Sequence, residues 1–110
     1  MIRLLLSLTM MVSVQSALAA PSLDKEAKSA EVESKIKSCL ATIYLNQNHY
    51  QQKNETYATN IGALSLDRDP SCRGFKKILK TADADSFLAE VEDSSMAWTI
   101  DDSKAMEKIR

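Results

Sequence analysis

The residues best suited to chemistry lie close together between positions 43 and 60. Three tyrosines, four asparagines and the only histidine of the chain, His49, are found in the stretch IYLNQNHYQQKNETYATN. A histidine can act as a general base or as a metal ligand, but either role needs partner residues. No Ser-His-Asp or Cys-His pattern and no metal-ligand spacing accompanies His49. We therefore expect His49 to be a surface or half-buried polar residue, and we expect no catalytic, cofactor or metal site.

The remaining chemical signals are short motifs. Asn54-Glu55-Thr56 matches the N-x-S/T acceptor pattern for glycosylation, which occurs often by chance. Close pairs of acids such as Asp83 and Asp85 are typical of turns, because a calcium loop needs denser oxygen ligands and a glycine. The sequence contains no C-x-x-C motif and no glycine-rich phosphate loop. These observations favour a protein that is not an enzyme.

The N-terminal residues are typical of an export signal. Arg3 supplies a positive charge, residues 4–14 form an apolar run without charge, and Ala17-Leu18-Ala19 matches an A-x-A cleavage site. The apolar run is short for a membrane-spanning helix, which needs about 20 apolar residues. We predict a cleaved Sec-type signal peptide over residues 1–19, followed by a single domain over residues 20–110. The alternative is an uncleaved membrane anchor.

Export gives the two cysteines a structural meaning. In an oxidising compartment an even number of cysteines favours a disulfide, and here the only possible pair is Cys39 with Cys72. The alternative is two free, buried thiols. With the export signal, this prediction favours a periplasmic or secreted protein, presumed to come from a Gram-negative bacterium.

The charge balance excludes some partners. The formal net charge is −1 at pH 7, with basic and acidic residues spread along the chain. Proteins that bind nucleic acid or anionic membranes through charge carry a basic patch or stripe, which this sequence lacks. We expect protein partners and no nucleic acid, and membrane contact only if the N-terminal segment is uncleaved.

A long helix is predicted over residues 22–52, where the sequence contains neither glycine nor proline. Ser22 is a plausible N-cap, and acids follow it in the first turn. From Val32 onward, apolar residues recur at steps of three and four, and Gln47 falls in the same stripe. The second half of this helix thus has a face to bury, whereas its first half is polar.

The rest of the sequence changes period. Residues 53–74 read as a loop with one short helical turn near Asn60–Leu64, and three strands are predicted over about 75–81, 86–92 and 96–101. The last residues, from Asp102 onward, are polar and are expected to fray or to form a short helix. The predicted fold is α+β: a long N-terminal helix packed on a three-stranded antiparallel β-meander. The predicted packing residues between helix and sheet are Ile36, Leu40, Ile43, Tyr44, Tyr50 and Trp98.

The pattern from Ala27 to Lys104 resembles the globular domain of type IV pilins and type II secretion pseudopilins. Those proteins often show A-K-x-x-E, later I-Y and N-x-x-Y, and a final strand with W-T-I-D. The matching positions here are Ala27, Lys28, Glu31, Leu40, Ile43, Tyr44, Tyr50, Asn54, Tyr57, Ile61, Leu64, Leu66 and the run MAWTIDDSK. The resemblance implies a long helix on an antiparallel sheet and a role in protein assembly.

This sequence also departs from the pilin pattern. A prepilin has a glycine at its cleavage site and a glutamate five residues into the mature chain, but here no glycine precedes Gly62 and no acid precedes Asp24. We therefore expect a pilin-like domain without the hydrophobic assembly helix, acting through protein contacts in a pilus, in secretion or in adhesion. One alternative is a secreted disulfide-braced binding module or inhibitor with its contact surface at residues 65–74. Another is a membrane-anchored minor pilin that retains residues 1–20.

Overall fold

In the computed structural model, residues 27–110 are described with their side chains, and the chain divides into two compact units, Met1–Val32 and Glu33–Arg110. The predicted signal peptide over residues 1–19 and the predicted N-cap at Ser22 lie outside the described residues. Within the described part of the chain, no helix has the length and apolar character needed to cross a membrane.

The long helix, α1 (Ile2–Asn54), ends slightly beyond the predicted end near residue 52. Its end is defined by Glu55, which adopts a left-handed conformation with φ of 61° and donates its N–H to the carbonyl of Gln51 at 2.8 Å. The amide of Asn54 donates to the carbonyl of Tyr50 at 3.0 Å. The bond from Glu55 to Gln51 closes the last turn, and the left-handed conformation of Glu55 turns the chain away from the helix.

The connection to the sheet contains three short 3₁₀ helices rather than an irregular loop. They span Ile61–Leu64, Leu66–Arg68 and Pro70–Cys72. The first lies where a short helical turn was predicted, and it is capped by Asn60, whose side chain accepts the N–H of Gly62 at 2.7 Å. The third is capped in the same way by Asp69, with proline in its first turn, where no N–H is needed.

The sheet has four antiparallel strands, so the prediction of three strands was wrong in number. The strands β1 (Lys76–Ala82), β2 (Phe87–Glu92), β3 (Ala97–Asp101) and β4 (Met106–Lys108) follow one another in sequence order. The strand β4 lies in the segment that was expected to fray or to form a helix. Its three residues are too few to display an alternating pattern, and pairing with β3 is what makes them a strand.

The core lies between the C-terminal part of α1 and one face of the sheet. On that face Ala89 is paired with Ile100, and Val91 with Trp98. The side chains of Ala89, Val91 and Ile100 are fully buried, as is Leu40 on the helix. The architecture is therefore α+β, with a helix and an antiparallel sheet that bury a common core.

The hairpin turns of the sheet share one local device. Asp83, Asp93 and Asp101 each end a strand or follow it, and each carboxylate accepts the backbone N–H two residues further along at 2.8–2.9 Å. A serine hydroxyl donates to each of them as well. These hydrogen bonds hold the pKa of each of the three carboxyls below its usual value. The largest contribution comes from a backbone N–H for Asp83 and Asp93, and from the serine hydroxyl for Asp101.

Candidate binding groove at the end of the helix

The predicted packing residues on the helix differ in burial. Ile36, Leu40 and Ile43 have no exposed surface. They lie three or four residues apart, so they share the helix face that meets the sheet. Tyr44 and Tyr50 are only partly buried.

Two aromatic contacts connect helix and sheet at the edges of this core. The ring of Tyr44 lies 6.5 Å from that of Phe87, measured between centroids. The ammonium of Lys37 lies 4.4 Å from the ring centroid of Trp98 on β3, a cation–π arrangement, and also 3.5 Å from the carboxylate of Glu33. Trp98 is partly buried and lies at the edge of the core.

The disulfide between Cys39 and Cys72 is present, as predicted. The two Cα atoms are 4.8 Å apart, and both cysteines are buried, with 0% and 1% of their surface exposed. Because Cys39 lies on α1 and Cys72 in the third 3₁₀ helix, the bond fastens the far end of the connecting segment to the helix.

A hydrogen-bonded contact lies beside the disulfide. The carboxylate of Asp69 accepts the hydroxyl of Thr42 on the helix and the N–H of Ser71 in its own turn. The hydrogen bond from Thr42 lowers the pKa of Asp69 most, and burial opposes that shift. The same segment is thus held on α1 by one covalent and one polar contact.

The beginning of the connecting segment is held by Gln47, whose structural role the sequence did not disclose. Its side chain is fully buried, its amide N–H donates to the carbonyl of Ala58 at 2.9 Å, and its oxygen accepts the N–H of Ala58 at 2.7 Å. One side chain thereby satisfies both backbone groups of a buried residue. The only signal in the sequence is that Gln47 occupies a position in the apolar stripe.

Tyr57 ties the same segment to the sheet. Its N–H donates to the carbonyl of Asp83 at 3.0 Å, and its ring meets that of Phe87 edge-on at 4.9 Å. Burial raises the pKa of the Tyr57 phenol above its ordinary value, and the carboxylates of Asp102 and Asp85 add to this shift. Two tyrosines of the stretch, Tyr44 and Tyr57, therefore pack against Phe87 of the sheet.

A shallow groove of about 280 Å³ lies between the last two turns of α1 and the first 3₁₀ helix. One wall is held in place because the amide of Asn46 donates to the carbonyl of Leu64 at 2.8 Å. The groove is lined by polar and apolar side chains: Asn46, His49, Tyr50, Lys53, Asn54, Ala63, Leu64 and Ser65.

Some of the groove residues stand out in the sequence and others do not. His49 is exposed at the groove, and Tyr50, predicted to pack against the sheet, lines the groove as well. Lys53 and Ser65 were not singled out, because only the fold brings the helix end beside the segment after Asn60. The groove offers hydrogen-bond donors on a partly apolar surface, an arrangement suited to holding a polar group of a ligand.

No group of three or more His, Cys, Asp and Glu side chains that could hold a metal ion occurs within residues 27–110.

No protein-family model matches the chain, and no curated protein is significantly similar to it in sequence. The class of protein is therefore defined by the architecture alone: an α+β domain with a disulfide-fastened connection between helix and sheet.

Proposed function

We propose that this chain is an exported, pilin-like protein that acts through contacts with other proteins and not by catalysis. The observation that carries the proposal is the packing of the C-terminal part of α1 on one face of an antiparallel meander. The resemblance of residues 27–104 to pilins and pseudopilins, described above, implies that arrangement. The proposed setting is a type IV pilus, a type II secretion machine or surface adhesion.

Export is the second part of the proposal. The apolar N-terminal sequence with its A-x-A site supports a cleaved signal peptide, and the Cys39–Cys72 disulfide supports an oxidising compartment, the periplasm or the exterior. Mass spectrometry of the chain purified from cells tests this part. A mature protein that begins at Ala20 or Pro21 is expected, whereas retention of residues 1–20 would favour a membrane-anchored minor pilin.

The protein contacts can be tested by cross-linking in living cells. A photoreactive amino acid placed at the exposed Leu45, on the helix surface, would capture partners that approach the helix. The same amino acid at the buried Ile43 is the matched control, because a fully enclosed side chain cannot reach a partner. Recovery of pilus or secretion components from Leu45 alone supports the proposal. Failure to recover pilus or secretion components from Leu45 or any other exposed position would contradict it.

A second candidate function is supported by the disulfide-fastened segment. In residues 65–74, Leu66 and Cys72 are buried while Asp67, Arg68 and Arg73 are exposed. Small secreted domains commonly depend on disulfides for stability, and here the bond lies beside charged side chains at the surface. Replacing the three exposed charged residues together with alanine would abolish partner capture if this segment is the contact surface. Capture would persist if the partner approaches the helix.

A further inference from the structure

Several donor groups of the groove at the end of α1 are unpaired. Within the residues that the structure describes, the side chains of His49, Tyr50, Lys53 and Ser65 have no hydrogen-bond or ion-pair partner. An imidazole N–H, a phenol, an ammonium and a hydroxyl can all donate. Donors from four different side chains thus line the groove and are available to solvent or to a ligand.

The charge of the groove favours an anion. Lys53 is a full positive charge, and the lining contains no aspartate and no glutamate. Some other lysines are paired with carboxylates, as Lys37 is with Glu33, and Lys80 with the nearly buried Glu90 at 3.0 Å. The negative end of the helix dipole opposes anion binding here. The full positive charge of Lys53 exceeds this negative partial charge, which is about half an elementary unit.

The size of the groove limits what can enter. Its volume of about 280 Å³ lies below the range of roughly 300–1,000 Å³ that is usual for sites binding drug-sized ligands. Ala63 and Leu64 supply an apolar wall beside the donors. A single side chain with a short aliphatic stem and an anionic end matches both the volume and the lining.

We propose that this groove binds the carboxylate of one glutamate or aspartate side chain presented by a protein partner. His49 and Lys53, one helical turn apart on the same face of α1, donate to the carboxylate, while Ala63 and Leu64 contact its aliphatic stem. The inference rests on the proposed function, because it supplies the chemistry of a contact that the proposed function requires.

The test is a nuclear magnetic resonance titration of the isotope-labelled chain, purified from cells expressing the full sequence. The probe is the capped tripeptide acetyl-Gly-Glu-Gly-amide, and acetyl-Gly-Gln-Gly-amide is its uncharged match. An isolated side chain binds weakly, so we expect a Kd in the millimolar range, which such a titration detects. The glutamate peptide is expected to shift the amide signals of His49, Lys53 and residues 63–65. An equal response to the glutamine peptide, or no response in this region, would overturn the inference.

Variants separate the groove from general surface charge. Lys53→Gln is expected to weaken binding of the glutamate peptide by about 1.4- to 5-fold, the effect that loss of an exposed ion pair usually has. Combined with His49→Gln, the loss should be larger. Lys108→Gln removes the same charge from an exposed residue of β4 and is expected to change nothing. Equal weakening by Lys108→Gln would overturn the inference, because attraction would then depend only on net charge.

The proposed function and this inference can fail separately. Cross-linking to pilus or secretion components that succeeds while the peptide titration fails would leave the proposed function in place and remove the groove as its contact. Specific peptide binding without recovery of any such component would keep the groove as a carboxylate site and remove the pilus or secretion setting.

Discussion

Replacing Gln47 with leucine tests how the connecting segment is held on the helix. Leucine keeps a similar size but removes the donor and the acceptor that serve the backbone of Ala58, which is only 1% exposed. A buried backbone group left unpaired costs about 1–3 kcal/mol, so two such groups cost about 2–6 kcal/mol. The additional apolar surface of leucine offsets about 1.5 kcal/mol of this loss. We expect a net decrease of about 0.5–4.5 kcal/mol in the free energy of unfolding, against the ~5–15 kcal/mol of a typical domain.

The assay is urea unfolding followed by the fluorescence of Trp98, the only tryptophan of the chain. Gln52→Leu is the matched control, because Gln52 lies on the same helix but is exposed, and its replacement should change stability by less than about 0.5 kcal/mol. Native-state hydrogen exchange should also show that the amide of Ala58 loses protection in Gln47→Leu. If Gln47→Leu and Gln52→Leu had the same stability, the role assigned to Gln47 would be refuted.

Three further outcomes are expected. Replacing Cys39 and Cys72 together with alanine opens a loop of about 34 residues and should lower the free energy of unfolding by about 3.8 kcal/mol, measured in urea. The folded-state pKa of Asp93 is lowered, so its stabilisation is complete above the unfolded value of 3.8 and is lost as the pH falls through the folded value. Asp93→Asn should therefore reduce the acid sensitivity of stability, measured by unfolding at several pH values. Lys37→Met should lower stability by about 0.5–1 kcal/mol and change the emission of Trp98, measured by fluorescence.

Each of these predictions has an outcome that contradicts it. If the double cysteine variant unfolded at the same urea concentration as the unreduced chain, the bond would not restrain the unfolded state. Asp85→Asn is the control for acid sensitivity, because Asp85 lies in a hairpin turn but its carboxylate accepts no hydrogen bond from another described residue. A larger effect from Asp85 than from Asp93 would contradict the capping argument. Glu33→Gln keeps the cation over the ring, so it should alter Trp98 emission less than Lys37→Met does.

Features that depend on neighbouring residues in the chain could be predicted from the sequence. The second half of α1 repeats apolar residues at helical spacing, and the cap at Asn60 and the turn beginning at Asp69 are short-range hydrogen-bonding patterns. The disulfide followed from having a single possible pair of cysteines. The face shared by Met96, Trp98 and Ile100 followed from simple alternation along a strand.

Other features required contacts between distant parts of the chain. The strand β4 exists because Met106 pairs with Ile100, and the polar sequence around it shows no strand pattern of its own. Gln47 could be recognised as a structural residue only once Ala58 was placed against it.

The groove is the clearest case of this difference. Helical periodicity already puts His49 and Lys53 on one face of α1, because spacing along a helix is a local property. It does not show what lies opposite them. Asn46, bonded to the carbonyl of Leu64, brings the segment around Ser65 beside the helix end and so creates the opening. A pocket needs two walls, and the second wall here comes from a part of the chain whose position depends on the Gln47, Asn46 and Cys39 contacts together.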